Sequence, residues 1–140
     1  MRHTLTLGFT GTRQGLTPPQ LNRLRALVAA LGPTAARHGD CCGGDAAFHT
    51  AVRDLTSARV TVHPPLDPVL RVYRSGDEVL APKPYLERNA DIVAGSDLVL
   101  ACPLEPTPQP RGGTWHTVNL CRTRRVPCVV VWPDGATSLA

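Results

Sequence analysis

The stretch from Ser96 to Pro133 constrains the fold more than any other. It reads SDLVLACP, a proline-rich loop, RGGTWHTVNLCRTRR and then VPCVVVWP. An apolar run, a glycine pair opening a helix-like segment and a second apolar run describe a strand–loop–helix–strand unit. The first amides of such a helix have no partner inside it, and the helix dipole adds to them, so an anion belongs at its start.

The preceding residues repeat the same alternation. His3 to Thr10 (HTLTLGFT) is expected to form a first strand, broken by Gly11-Thr12-Arg13. Thr17 caps a helix with Pro18 at its first position; Leu21, Leu24, Leu27, Val28 and Leu31 form its apolar face, and Gly32-Pro33 ends it. Thr34 to Gly39 is a short second strand, Ala46 to Leu55 a second helix and Arg59 to His63 a third strand. Residues 66–84 read as irregular, since Pro65 to Pro84 holds four of the chain's 14 prolines. A helix over Tyr85 to Gly95, a strand over Asp97 to Cys102, a helix over Gly113 to Arg124 and a strand over Val126 to Trp132 complete the pattern. The polar tail, 134–140, is expected to fray. Strict alternation implies one α/β domain over residues 1–140, with a mostly parallel sheet of five or more strands and helices on both faces. Ligands of such sheets sit at the carboxyl ends of the strands, where the strand order reverses.

Composition narrows the partners. With 42% apolar and 19% charged residues the chain suits a packed domain rather than a solvated coil. No apolar run approaches the roughly 20 residues of a membrane helix, and no signal-peptide pattern opens the chain, so no membrane contact and a cytoplasmic location are expected. The net charge is +4, and its one dense cluster, Arg122, Arg124 and Arg125, falls at a helix end where cations complement the dipole. Nucleic acid is therefore not the expected partner. Of five cysteines, Cys102, Cys121 and Cys128 lie in apolar runs as small core residues. Cys41 and Cys42 are adjacent, which is not zinc-knuckle spacing, and no metal site with His38 or His49 is expected.

Three glycine-bearing turns follow three strands: Gly11-Thr12-Arg13, Asp40 to Asp45, and Arg111 to Thr114. In the last, Gly112 and Gly113 let backbone approach a phosphate and Thr114 offers a hydroxyl. Arg13 either supplies a fork for a phosphate or carboxylate or is a surface arginine. In the second turn Cys41, Gly43 and Gly44 line the loop; Asp45 either caps the helix or joins Asp40 in binding ribose hydroxyls. Arg88 and Asn89 on the third helix are either further ligand contacts or part of an exposed helix face. His63, at a strand end, is the best acid–base candidate, ahead of His38 and His116. Trp115 either stacks on a base or packs in the core. Neither a dinucleotide fingerprint nor a Walker lysine is present, so NTP hydrolysis is not expected. The expected occupant is a nucleotide-like or phosphate-bearing small molecule, and no resident cofactor is expected.

These segments, GFTGTR (8–13), HGDCCGGD (38–45), HPP (63–65), PKPYLERNADIV (82–93), SDLVLACP (96–103) and RGGTWHT (111–117), span nearly the whole chain. In order and spacing they resemble the SLOG superfamily. That group holds the "lonely guy" phosphoribohydrolases, molybdenum-cofactor carrier proteins and the DprA recombination mediator; the chain looks most similar to small stand-alone members of the YspA type. The resemblance implies a Rossmann-like three-layer sandwich binding nucleotide-like or phosphorylated ligands, and pairing into a homodimer. It places Arg88 at the arginine of the phosphoribohydrolase RK-x-x-M segment. It also places Asn119 where those enzymes carry their catalytic glutamate in P-G-G-x-G-T-x-x-E, with residues 104–110 inserted before the glycine pair. An N-glycosidic hydrolase of this family would then need Asp40, Asp45 or His63 as its acid–base group, with Arg88 beside it.

Overall fold

The computed structural model describes residues 4–140, so His3, the expected start of the first strand, lies outside them. Strand β1 runs over Thr6–Gly11, helix α1 over Pro18–Leu31, β2 over Ala35–His38, α2 over Gly44–Leu55 and β3 over Arg59–Val62. After a 3-10 turn at Pro68–Leu70 come β4 (Glu78–Val79), α3 (Tyr85–Ala94), β5 (Leu98–Cys102), α4 (Gly113–Arg124), β6 (Cys128–Val131) and β7 (Thr137–Leu139). The seven strands form one sheet in the order β4-β3-β2-β1-β5-β6-β7. All neighbours are parallel except β6 and β7. The fold is α/β and Rossmann-like, as the alternation requires.

The two-residue period of the strands divides the core. Leu7, Phe9, Leu100 and Cys102 face one way and pack with Leu24 and Val28 of α1 and Phe48, Ala51 and Val52 of α2. Val99, Ala101, Cys128 and Val130 face the other way, against Val93 of α3 and Trp115, Val118 and Cys121 of α4. Each face buries its own helix pair, the arrangement that parallel sheets demand because both their surfaces are apolar. The three cysteines expected in the core are there, all buried.

Two strands depart from expectation. The tail does not fray: β7 pairs antiparallel with β6. Its cause is a local hairpin turn at Asp134-Gly135, where Gly135 has φ +87° and the Ala136 amide donates to Asp134 Oδ1 at 2.9 Å. The Trp132 indole then donates to Ser138 Oγ at 2.8 Å across the hairpin. An Asp-Gly pair is a strong hairpin signal, and here it outweighs the polar composition of the tail. Within the stretch read as irregular, β4 adds an edge strand of two residues, held because Asp77 Oδ2 accepts the Val60 amide at 2.7 Å. Helix α2 also starts two residues earlier than expected, at Gly44.

Candidate functional site

From β1 the chain builds outward through β2, β3 and β4, then returns to lay β5 on the other side of β1. The loops leaving β1 and β5 therefore diverge, which opens a crevice at the carboxyl ends of those strands. A cleft of about 300 Å³ lies there. One wall is Gly11 to Gln14 after β1; the other is Gly112 to Trp115 at the start of α4, with Tyr85, Leu104 and Glu105 completing the lining. The first and third glycine turns thus share one cavity.

Of the four α-helices among the described residues only α1 has a side-chain cap; α2, α3 and α4 open without one, and the start of α4 is the one that lines the cleft. Helix α1 has a full capping box, with Thr17 accepting the Gln20 amide and Gln20 returning the bond. Helix α4 opens at Gly112 (φ +117°) with no side-chain cap. Its first intrahelical bond is the His116 amide to the Gly112 carbonyl, so the amides of Gly113, Thr114 and Trp115 have no acceptor within the helix. Arg13, exposed at the opposite turn, adds a full positive charge to the same cavity.

The second glycine turn lies below this cleft rather than in it. The Gly44 amide donates to the Thr12 carbonyl at 2.8 Å, and a Cβ on Gly43 would meet the Thr12 and Arg13 carbonyls. Asp45 is buried and accepts the Cys41 amide on Oδ2 at 3.0 Å. Burial pushes its carboxyl up to about 6, against the opposing pull of Arg88. This turn supports the Gly11–Arg13 turn from beneath.

Asp40 faces another loop altogether. It is fully buried with φ +56°, and its carboxylate accepts Arg71 Nε at 2.8 Å and the Arg74 amide at 2.9 Å. It anchors the 66–84 segment instead of turning toward the cleft. Asp40→Asn keeps a residue tolerant of positive φ but removes the charge. We expect it to cost about 1–3 kcal/mol in urea denaturation, with earlier proteolysis between residues 66 and 80.

Arg88 and Asn89 are buried in α3 and line a compartment of about 20 Å³ with Asp45 and Cys41, beneath the main cleft. The Arg88 Nη2 donates to Cys41 Sγ at 3.7 Å, its Nε has no partner, and its guanidinium fills the space a Cβ on Gly39 would need. Tyr85 stands between the two compartments and lines both. Its ring centroid is 4.9 Å from the Arg88 Cζ and 5.6 Å from that of Arg13, and its hydroxyl occupies the space a Cβ on Gly113 would fill. Sequence reasoning passed over Tyr85, although its place at the start of α3, three residues before Arg88, is the signal that could have found it.

The histidines are spread around this core. His63 is buried outside the cleft, where its Nε2 accepts Arg37 Nη1 at 3.0 Å. His38 Nδ1 accepts the Asp40 amide at 3.0 Å, so its proton sits on Nε2 and is donated to His49 Nδ1 at 2.9 Å. His116 pairs with Asn89 at 3.3 Å. Asn119 is exposed and accepts Arg122 Nη1 at 3.2 Å. Trp115 is buried, yet its indole reaches the cleft and donates to Glu105 Oε1 at 3.0 Å. Glu105, in the 104–110 insert, has no sequence signal of its own, since a lone acid in a proline-rich loop breaks no periodicity. Among the described residues, no group of three or more His, Cys, Asp or Glu side chains is placed to hold a metal ion, and no helix is long and apolar enough to cross a membrane.

Neither a protein-family model nor a curated protein matches the chain. Solved structures do. The molybdenum cofactor binding protein of the phototrophic bacterium Rippkaea orientalis superposes with a TM-score of 0.73 at 20% identity, over 96% of this chain and 80% of that one. The chain has that protein's fold. The Moco carrier protein of Chlamydomonas reinhardtii follows with a TM-score of 0.66 at 15% identity, covering 91% and 76%. The structural-genomics target TM1055 gives 0.61 at 16%, covering 89% and 72%. At these identities the likeness is one of architecture alone.

Proposed function

We propose that the cleft binds a small phosphorylated ligand of nucleotide-like kind, as a carrier or sensor rather than a hydrolase. One observation carries this reading: a helix start with three amides unpartnered within the helix faces Arg13, an exposed cation with no carboxylate partner among the described residues, across a cavity of small-molecule size. The SLOG-like motifs and the cofactor-binding relatives agree with it, so the molybdenum cofactor belongs among the ligands to test. The hydrolytic reading is less well supported. Asp40 is committed to Arg71, and His63 to Arg37, outside the cleft.

The test is calorimetric titration with inorganic phosphate and 5′-nucleotides. Arg13→Ala is expected to weaken phosphate binding about 10- to 100-fold, the worth of one charge-assisted bond, with an unchanged melting temperature because Arg13 is exposed. Equal affinity in both proteins would overturn the reading. Release of free base from a nucleotide would restore the hydrolase.

A further inference from the structure

The cleft is not uniformly positive. Among the described residues, Glu105 alone brings a carboxylate to its lining, in the same cavity as Arg13 and the opening amides of α4. A carboxylate there repels a bare anion, so an anion site built only for phosphate would be better without it.

The local packing fixes where that carboxylate sits. Glu105 Oε1 accepts the Trp115 indole N–H at 3.0 Å, and Trp115 is buried with its ring centroid 5.8 Å from that of Trp132. The mount is therefore an aromatic pair rather than a mobile surface chain. Satisfying the indole takes only one of roughly four acceptor positions on a carboxylate. Among the described residues, Oε2 has no protein donor. What is left is an oriented acceptor beside a cluster of donors, in a cavity of about 300 Å³, the lower end of the range for small-molecule sites.

We propose that Glu105 is a specificity-determining residue that accepts hydrogen bonds from vicinal hydroxyls of the ligand, so that the cleft takes a sugar phosphate in preference to a bare phosphate. This rests on the phosphate reading above and adds a second chemical requirement to it. The anionic end is held by Arg13 and the α4 amides; the hydroxyl-bearing part is selected by Glu105. A ligand lacking the hydroxyls leaves a charged acceptor desolvated and unpaired, which is how a polar site rejects an analogue.

The experiment compares inorganic phosphate, ribose 5-phosphate and 2-deoxyribose 5-phosphate by calorimetry, in the wild-type chain and in Glu105→Gln. The amide oxygen of glutamine still accepts from Trp115, and unchanged tryptophan fluorescence confirms that the mount survives. Wild type is expected to favour ribose 5-phosphate over its deoxy analogue by about tenfold or more. In Glu105→Gln that ratio should fall toward unity while inorganic phosphate binds more tightly. Equal affinity for the two sugar phosphates in wild type, or a preference unaltered in Glu105→Gln, overturns the assignment while leaving the phosphate site standing. No binding of any of the three probes sinks the phosphate site itself, and this inference with it.

Discussion

Between pH 6.5 and pH 4 the protein is expected to lose about 4 kcal/mol of folding stability, driven by buried histidines around the site. His38 is fully buried, and burial is the main cause holding its imidazole down at about 3, with His49 and His63 adding to it. His63 is held at about 4, first by burial and then by the neighbouring Arg37 charge. Both folded values lie below the unfolded one near 6.5, so the native state binds fewer protons. Their contribution is complete above pH 6.5 and falls by roughly 1.4 kcal/mol per pH unit for each, or about 6–7 kcal/mol for the pair by pH 4. Asp45 works in the opposite sense. Its carboxyl is raised to about 6, so ionising it strains the fold above that pH, and protonation on the way down to pH 4 returns roughly 3 kcal/mol. The histidines win. A loss of this size is a large part of the 5–15 kcal/mol typical of a domain. Urea midpoints at pH 7, 6, 5 and 4 check it, and stability that stays flat over this range contradicts it. In His63→Gln the amide oxygen still accepts from Arg37, so about half of the histidine slope should vanish with little change at pH 7.

The elements that repeat a local rule were legible in the chain. The period-2 runs LGF and LVLAC, the Thr17-Pro18 helix start and the helix start at the Gly112-Gly113 pair each carry their signal within a few residues, and the strands and helices form there. The Asp134-Gly135 hairpin was equally local, but the polar tail around it masked the signal. The fate of the charged side chains was not legible. Asp40 and Asp45 lie five residues apart in one glycine-rich turn, and nothing local says that the first answers to Arg71 while the second sits above Arg88. Those partners come from 31 and 43 residues away in sequence, through the crossing of separate loops. Glu105 and Tyr85 are the same case: their importance lies in what the fold sets beside them, an indole and two guanidiniums.

Phe48→Ala is expected to cost about 3–5 kcal/mol and to weaken the cleft at a distance. Phe48 is fully buried on α2 and stacks on Phe9 of β1, with centroids 4.8 Å apart and the rings 11° from parallel. The stack sits where β1 and α2 approach most closely. A Cβ on Gly11 would come within 2.7 Å of the Phe9 ring, and one on Gly44 within 3.2 Å. On the side of the stack next to Gly11 and Gly44 there is no side chain to relax into the space of a lost ring. The vacancy therefore stays largely open, which puts the cost toward the upper part of that range. Phe48→Leu retains most of the volume and should cost about 1–2 kcal/mol. The consequence for binding follows from the Gly44 amide, whose bond to the Thr12 carbonyl ties the start of α2 to the turn that presents Arg13. Loosening α2 lets that turn drift, and pre-organisation of the anion site is lost with it. Phosphate affinity should fall severalfold in Phe48→Ala under conditions where the variant is still folded, although residue 48 lies outside the cleft lining. Unaltered affinity at full folding would mean that the turn is held by β1 and β5 alone, through the Thr12 amide on the Cys102 carbonyl at 3.0 Å.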